Sequence, residues 1–256
     1  MSQPESVVSA REGKLLIITI NRPQARNAVD LSVAEGLEAA VAELDADSDL
    51  AVGIVTGAGG TFCAGMDLKA FARGERPYTE NGGFAGIVER PPRKILIAAI
   101  EGYALAGGLE IALSCDLLVA ARDAKLGIPE VGVGLIAAGG ALLRLPSRIP
   151  YHLAMEMAVT GEPITAEQAH TRGLLNHLSD PGQALPAARE LGERIAANAP
   201  LALAASKQTL VSVRDWTSSE EWQRQAELAD PIFGSEDALE GARAFAEKRS
   251  PHWQGC

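Results

Sequence analysis

The sequence predicts an α/β fold followed by a helical extension. From Lys14 to about residue 180, short apolar runs alternate with segments of helical spacing, a pattern typical of strands joined by helices. Beyond that point only helical patterns remain. We therefore divide the chain into a core, residues 1–198, and a C-terminal helical region, residues 199–256.

The strands are predicted from short apolar runs bounded by glycine, proline or charged residues. They are Lys14–Asn21, Ala51–Thr56, Lys94–Ile100, Leu117–Ala121 and Lys125–Ile128, and Leu174–His177 is a candidate for a last strand. Residues 72–92 mix glycine, proline and charge without periodicity, so we expect a mobile loop with one helical turn at most.

The helices are predicted from apolar spacing and from capping signals. Ser32 and Glu35 have the spacing of a capping box, and the apolar pattern after them continues to about Asp45. Thr165 and Gln168 repeat that spacing before a helix that closes at Gly173. The other helices are Gly107–Cys115, Pro150–Val159, Ala184–Ala197, Leu201–Val213, Ser218–Leu228 and Ser235–Arg249.

Composition and charge exclude several classes of protein. The formal net charge of −10 argues against a general binder of nucleic acid or anionic membranes, which needs a basic surface. Three cysteines and four histidines lack the spacing of a disulfide framework or a metal site, so we expect neither. The apolar stretch from Tyr103 to Ala121 contains Glu110 and Asp116, each costly in a bilayer. With a polar, acidic opening segment, the sequence predicts a cytoplasmic protein.

Two glycine-rich segments, Thr61–Leu68 and Glu101–Glu110, each follow a predicted strand. Glycine lets the backbone approach a ligand closely and leaves amide groups available to it. The second segment also enters a helix, where the dipole adds positive character to those amides. Two converging amides of this kind suit a developing oxyanion.

Three kinds of chemistry compete for these segments. A dinucleotide site needs a third glycine after Gly57 and Gly59, but that position is Phe62. A serine hydrolase needs a G-x-S-x-G elbow, which the chain lacks. Acid/base chemistry on a thioester needs carboxyl groups, and Glu110 and Glu130 flank glycine-rich turns twenty residues apart. Either acid in isolation could instead be a capping or salt-bridged residue.

At these residues the chain resembles the crotonase (enoyl-CoA hydratase/isomerase) family. The resemblance covers nearly the whole length, and it rests on the order and spacing of several motifs rather than on any one of them. They are Asn21-Arg22-Pro23 with Ala25-Arg26-Asn27-Ala28, Ala64–Leu68, Gly102–Glu110, Cys115-Asp116, Pro129-Glu130, Thr160-Gly161, and Ala166, Ala169 and Gly173-Leu174.

The resemblance implies a spiral of ββα units whose C-terminal helices build trimers, often paired into hexamers. It implies that the amides of Met66 and Gly107 form an oxyanion hole. It also implies that Glu110 mainly activates water and Glu130 mainly protonates the α-carbon. The coenzyme A and substrate contacts that the resemblance implies are Ala25, Arg26, Ala64, Gly65, Asp67, Leu68 and Gly108. Phe245 and Lys248 are expected to close the nucleotide site, either in their own chain or in that of a neighbouring subunit.

Some positions depart from the family pattern or leave its details open. Ala106 stands where many members have a third glycine, and Met66 where alanine is common. The segment Tyr78–Glu89, which contributes to acyl selectivity in this family, aligns least well. Cations near the motifs are candidates for the coenzyme A phosphates, although such charges more often lie on a solvated face. They are Arg26, Lys69, Arg73, Arg93 and Lys94.

The leading hypothesis is an enoyl-CoA hydratase, which adds water reversibly to a 2-enoyl-CoA in fatty-acid or related acyl-CoA degradation. Retention of both glutamates, Glu110 and Glu130, favours it over single-acid members. A carnitinyl-CoA dehydratase or an enoyl-CoA isomerase is the alternative within the family, and a non-catalytic acyl-CoA-binding protein the alternative outside it. We expect no cofactor, because coenzyme A is part of the substrate, and we expect self-association as the main protein partnership.

Overall fold

A computed structural model of the chain describes residues 5–256 and contains two sheets, a short hairpin and ten α-helices in that range. The strands are β1 (Val7–Glu12), β2 (Leu15–Ile20), β3 (Val52–Gly57), β4 (Tyr78–Thr79), β5 (Gly83–Phe84), β6 (Ile95–Ile100), β7 (Tyr103–Leu105), β8 (Leu117–Ala121), β9 (Lys125–Gly127), β10 (Ile164–Thr165) and β11 (His177–Ser179). The helices are α1 (Leu31–Ala46), α2 (Leu68–Ala72), α3 (Gly107–Ser114), α4 (Ala141–Arg144), α5 (Tyr151–Thr160), α6 (Ala166–Thr171), α7 (Ala184–Ala196), α8 (Pro200–Ser212), α9 (Glu221–Phe233) and α10 (Glu236–Glu247).

The main sheet has six strands in the order β1-β2-β3-β6-β8-β11. All neighbours are parallel except β1, which pairs antiparallel with β2. Parallel strands covered on both faces are expected to read as continuous apolar runs, as β2, β3 and β6 do. Successive side chains of β2 accordingly enter different core clusters, with Leu16 and Ile18 facing α1 and Leu15 and Ile17 facing α7.

A second, smaller sheet positions the glycine-rich segments. It contains β10, β9 and β7. An isolated bridge joins Cys63 to Ala104 of β7, and another joins Met66 to Val29. The segment from Cys63 to Met66 therefore runs between the chain near Val29 and β7, which leads directly into α3.

Several local predictions were wrong, and each has a physical reason. The N-cap of α1 is Asp30, whose carboxylate accepts from the amide of Val33, rather than Ser32. The strand predicted at Leu174–His177 begins at His177 instead, because the preceding residues form the turn that closes α6. Neither β1 nor β7 was predicted: β1 is a polar edge strand that exposes most of its residues, and β7 has only three residues.

Part of the segment predicted as a mobile loop, residues 72–92, is instead packed into the core. It contains the hairpin of β4 and β5, and residues 82–88 are buried. The Tyr78 and Phe84 rings meet edge to face at 5.6 Å. Apolar residues here lack a helical or strand period because tight turns at Ala85 and Gly86, both with positive φ, separate them.

The C-terminal helices are tied to the core by a buried ion pair. Lys207 of α8 donates to Asp116 at 2.6 Å and to the carbonyls of Pro92 and Lys94 at 2.8 and 2.9 Å. The capping box at Thr165 and Gln168 is confirmed, with both hydrogen bonds present. Within residues 5–256, no helix is both long enough and apolar enough to cross a membrane.

Candidate active site

The two glycine-rich segments meet at the amides of Met66 and Gly107. A Cβ added to Gly65 would lie 3.2 Å from the Gly107 nitrogen, so the backbones are in close contact. The neighbouring amides already have acceptors within the protein: the Asp67 amide donates to the Val29 carbonyl, and the Ala106 amide donates to the Gly127 carbonyl. Among the described residues, by contrast, the amides of Met66 and Gly107 have no hydrogen-bond acceptor. Gly107 is also the first residue of α3, where an amide is left free and the helix dipole is positive.

Phe84 lies directly over this pair of segments. A Cβ on Gly107 would lie 2.3 Å from the tip of the Phe84 ring, and one on Gly139 would lie 3.1 Å from its edge. No larger residue fits at Gly107 while the ring stays in place. The buried ring therefore contributes an apolar wall beside the free amides.

Ala106, immediately before Gly107, has a backbone conformation that favours glycine, with φ 52° and ψ −129°. Non-glycine residues held in such regions cost about 1–3 kcal/mol and cluster at functional sites. The Ala106 methyl group points at Gly65, since a Cβ there would lie 2.6 Å from it. The substitution noted in the sequence thus places a methyl group between the two segments, at their closest approach.

Glu110 lies one turn into α3 and is 3 % exposed. Burial raises the pKa of its carboxyl group, and hydrogen bonds from the amides of Ala141 and Gly139, with the charge of Arg144, oppose the rise. The Ala141 amide donates to Oε1 at 3.1 Å. The carboxylate is thus held at the start of α4 by backbone donors.

Glu130 lies in a short 3-10 helix after β9, and its Oε2 atom is buried with no hydrogen-bond partner. Burial raises the pKa of this carboxyl to about 7, a hydrogen bond to its own backbone opposes the rise, and the charge of Glu110 adds to it. The two acids predicted from the sequence are therefore close enough to interact electrostatically. Their environments differ, since Glu110 has backbone donors and Glu130 has a free oxygen.

The loop that carries Met66 is anchored by an ion-pair cluster. Arg22 donates to Asp67 and to Asp30, each at 3.0 Å. Burial works against the Asp67 carboxylate, but hydrogen bonds from the amide of Ala70 and from Arg22 hold its pKa below the usual range. Because the Asp67 side chain caps α2 and binds Arg22, it is committed to the protein itself.

The other predicted contact residues divide into two groups. Arg26 accepts from the Ala64 amide through its carbonyl at 3.0 Å, so Ala25, Arg26 and Ala64 form one stretch of surface, with Leu68 exposed beside it, whereas Gly65 is buried. Gly108 is buried in α3 behind Gly107. Phe245 is 88 % exposed on α10, and Lys248 ends that helix, so neither is packed against the site in its own chain.

The remaining candidate cations for phosphate binding fall into two groups by their position in the fold. Lys69 lies in α2 and Arg73 follows its last residue; both are exposed, next to the Met66 loop. Arg93 and Lys94 precede β6, whereas the free amides lie near the other end of that strand. Both residues contact the chain at Asp45 and Asp47. We therefore remove Arg93 and Lys94 from the candidates for phosphate binding.

Cys63 and Cys115 are both buried thiols. Cys63 is fully buried, and burial raises the pKa of its thiol to about 12. Cys115 is 1 % exposed, with its pKa raised for the same reason. A thiol in this state is a poor nucleophile.

The residues around Glu110 include several that sequence reasoning missed. Gly139 and Ala141 hold its carboxylate, Arg144 supplies a charge, and Phe84 lies against Gly107. The pair Gly139-Gly140 before the apolar start of α4 was the available signal for a helix N-terminus. Phe84 had no such signal, because it lies in a segment without periodicity.

Comparisons with known proteins agree with this geometry. The family model described as enoyl-CoA hydratase/isomerase matches residues 10–256. The chain is 41% identical to the enoyl-CoA hydratase EchA19 of Mycobacterium tuberculosis, covering 99% of this chain and 97% of that one. It is also 41% identical to a carnitinyl-CoA dehydratase of Salmonella arizonae, covering 98% and 99% respectively.

Solved structures show the same likeness. The crystal structure of enoyl-CoA hydratase EchA1 from Mycobacterium marinum has a TM-score of 0.97 with this fold at 56% identity, covering 99% of this chain and 100% of that one. A carnitinyl-CoA hydratase from Mycobacterium avium has a TM-score of 0.79 at 41% identity, covering 99% and 100%. The mixed α/β fold implied by the motifs is therefore confirmed.

Proposed function

The chain belongs to the enoyl-CoA hydratase/isomerase family, and from this premise we propose that it is a hydro-lyase that adds water reversibly to a 2-enoyl-CoA, giving a 3-hydroxyacyl-CoA. The observation that carries the proposal is the combination of two interacting carboxyl groups, Glu110 and Glu130, with two unpaired amides, Met66 and Gly107. Each half alone would serve other reactions. Together they match what hydration of an activated double bond requires.

The chemistry begins at the thioester carbonyl. Hydrogen bonds from the amides of Met66 and Gly107 draw electron density toward the carbonyl oxygen, which makes the β-carbon electrophilic. As water adds at that carbon, negative charge builds on the oxygen and is stabilised by both donors. A single such donor contributes on the order of 10²–10³ in rate.

The two acids divide the proton transfers. We assign the base to Glu110, since amide donors and the Arg144 charge favour its carboxylate, which accepts a proton from the attacking water. We assign the acid to Glu130, because a carboxyl group with a pKa of about 7, one of whose oxygens has no hydrogen-bond donor, is protonated in part of the population at neutral pH. It delivers that proton to the α-carbon.

The test is hydration of crotonyl-CoA and longer 2-enoyl thioesters, followed by loss of the conjugated thioester absorbance. Glu110→Gln and Glu130→Gln keep the size of each side chain, and each should lower kcat by at least about 100-fold. Glu162→Gln, an exposed control, should match the wild type. Near wild-type rates in both active-site variants would show that the two-carboxylate assignment is wrong.

A carnitinyl-CoA dehydratase is the second candidate, since relatives of that name are equally similar. A cavity of about 400 Å³ beside Glu130 favours the first candidate. Its lining is apolar, including Ile136, Met155 and Val159, and Glu130 is its one charged residue. A trimethylammonium group is bound best by several aromatic faces, whereas this lining has Tyr151 alone. We expect crotonyl-CoA and octenoyl-CoA to be hydrated much faster than carnitinyl-CoA is dehydrated.

We also propose that the protein self-associates as a trimer or hexamer and acts in cytoplasmic acyl-CoA degradation. Exposed apolar side chains support the first part. A groove of about 450 Å³ between α8 and α9 is lined by Leu210, Leu228 and Phe233, and Leu210 and Phe233 are 74 % and 79 % exposed. Light scattering on the purified protein measures the oligomeric state, and a monomer would contradict the proposal.

A further inference from the structure

Arg144 is a partly buried cation whose charge favours the Glu110 carboxylate, but whose hydrogen bonds the proposed mechanism does not use. It is the last residue of α4, and its guanidinium group folds back over the start of the same helix. A Cβ on Gly140 would lie 2.1 Å from Arg144 Nη1, so the glycine leaves the space that the guanidinium occupies. The side chain is therefore held in a defined position.

Arg144 joins two separate segments of the site. Its Nη1 donates to the carbonyl of Gly139 at 3.4 Å, and its Nη2 donates to the carbonyl of Val88 at 2.5 Å. The first carbonyl belongs to the turn whose amides, at Gly139 and Ala141, bind the Glu110 carboxylate. The second belongs to the buried segment 82–88, which contains Phe84.

Those two segments also meet each other at the Phe84 ring. The Phe84 ring lies against both Gly107, whose amide is free, and Gly139. The position of the Glu110 carboxylate and the wall over the oxyanion amides thus depend on the same junction. Among the side chains described, Arg144 is one that hydrogen-bonds to both halves of it.

We propose that Arg144 is a positioning residue for the hydration reaction, tying the Gly139–Ala141 turn that holds Glu110 to the segment that places Phe84 over Gly107. The proposal rests on the proposed function for its catalytic consequence, but its structural part does not. A guanidinium group suits the role because its planar donors can bond two carbonyls at once. Its charge also acts on Glu110, the carboxylate that most affects it.

Other groups face Glu110, and they set what removal of Arg144 would do. Glu130 repels its charge, and the Tyr78 hydroxyl group is close enough for Glu110 to raise its pKa. The amides of Gly139 and Ala141 favour the carboxylate. Arg144 is the cation in this set, so its loss removes an attraction that favours the carboxylate and should raise the pKa of Glu110.

The experiment compares Arg144→Met and Arg144→Lys with a matched control, Arg148→Met. Arg148 lies one turn further along the chain and is also partly buried; its electrostatic neighbours are Arg144 first, then Arg214, Cys115 and Asp116, and Glu110 is not among them. Circular dichroism establishes that each variant is folded. The readouts are kcat and KM with crotonyl-CoA, the pH profile of kcat, and the titration of Glu110 by ¹³C NMR of labelled carboxyl groups.

Arg144→Met should lower kcat by about 10-fold to 100-fold with little change in KM, because geometry rather than binding is lost. In this variant, the acidic limb of the pH profile of kcat and the midpoint of the Glu110 titration should both move to higher pH. Arg144→Lys keeps the charge but replaces the two guanidinium nitrogens, each on its own carbonyl, by one nitrogen on a shorter side chain, so the titration should move less while kcat still falls. Arg148→Met should leave both kcat and the Glu110 titration unchanged.

The proposal is overturned if Arg144→Met has the kcat and the Glu110 titration of Arg148→Met. Should Arg144→Met fail to fold, a wild-type kcat for Arg144→Lys would overturn it equally. If the wild-type protein hydrates none of the thioesters, the proposed function fails on its own. The NMR titration then still decides whether Arg144 acts on Glu110.

Discussion

Replacing Glu130 by glutamine should stabilise the folded protein while it inactivates the enzyme. The Glu130 carboxyl group has a buried oxygen without a donor, and burial with the nearby charge of Glu110 raises its pKa from 4.5 to about 7. Folding thus works against ionisation of this group. Below pH 4.5 the group is protonated in both the folded and the unfolded state, and its ionisation has no effect on the free energy of unfolding.

As the pH rises from 4.5 through 7, the unfolded chain ionises first and the wild-type protein loses stability. A tenfold change in a protonation equilibrium corresponds to about 1.4 kcal/mol, so the full elevation would be worth at most about 3.4 kcal/mol. Glu130 is only partly buried, and solvent screening reduces this to about 1–2 kcal/mol. The loss should be complete above about pH 8.

The assay is urea unfolding of wild type and Glu130→Gln from pH 5 to pH 8.5, at one protein concentration because self-association shifts apparent stability. The variant should be close to the wild type at pH 5 and more stable by about 1–2 kcal/mol at pH 8. Glu162→Gln, which changes an exposed carboxylate, should follow the wild type throughout. A difference between Glu130→Gln and wild type that stayed constant with pH would refute the reasoning.

Three further substitutions probe the backbone and the attachment of the C-terminal helices. Gly108→Ala should abolish activity and lower expression, because its Cβ would lie 2.1 Å from the Cys63 carbonyl oxygen; activity and circular dichroism check this. Ala106→Gly removes a positive-φ alanine and should raise the free energy of unfolding by about 1 kcal/mol, measured by urea denaturation. Lys207→Met leaves Asp116 partly buried without its cation and should destabilise the protein by about 3–5 kcal/mol in the same assay.

Prediction from the sequence succeeded best where a single local pattern determines the structure. The continuous apolar runs of β2, β3 and β6 marked strands buried on both faces, and the capping box at Thr165 marked the start of α6. It succeeded least where order comes from contacts distant in the chain. Asp30 rather than Ser32 caps α1, because spacing alone cannot tell which of two nearby polar residues turns back onto the helix.

The candidate site shows the same division. Glu110 and Glu130 were identified because acids beside glycine-rich turns are unusual, whereas Arg144 was not, since a single arginine after an apolar pair is an ordinary surface residue. Its role depends on Val88, which lies 56 residues away in the chain. No local pattern contains that information, and the segment of Phe84 was missed for the same reason.

The demands of a backbone oxyanion site explain why small residues are concentrated around it. Side chains at Gly65, Gly107, Gly108 and Gly139 would each collide with a neighbouring segment at 3.0 Å or less. Close approach of backbones is what places two amides on one oxygen, and it leaves no room for a Cβ. The 26 glycines of the chain are therefore in part a consequence of chemistry performed by amides. The strain at Ala106 and the unpartnered oxygen of Glu130 lower stability in the same place, so the site depends on the doubly covered sheet beside it to remain folded.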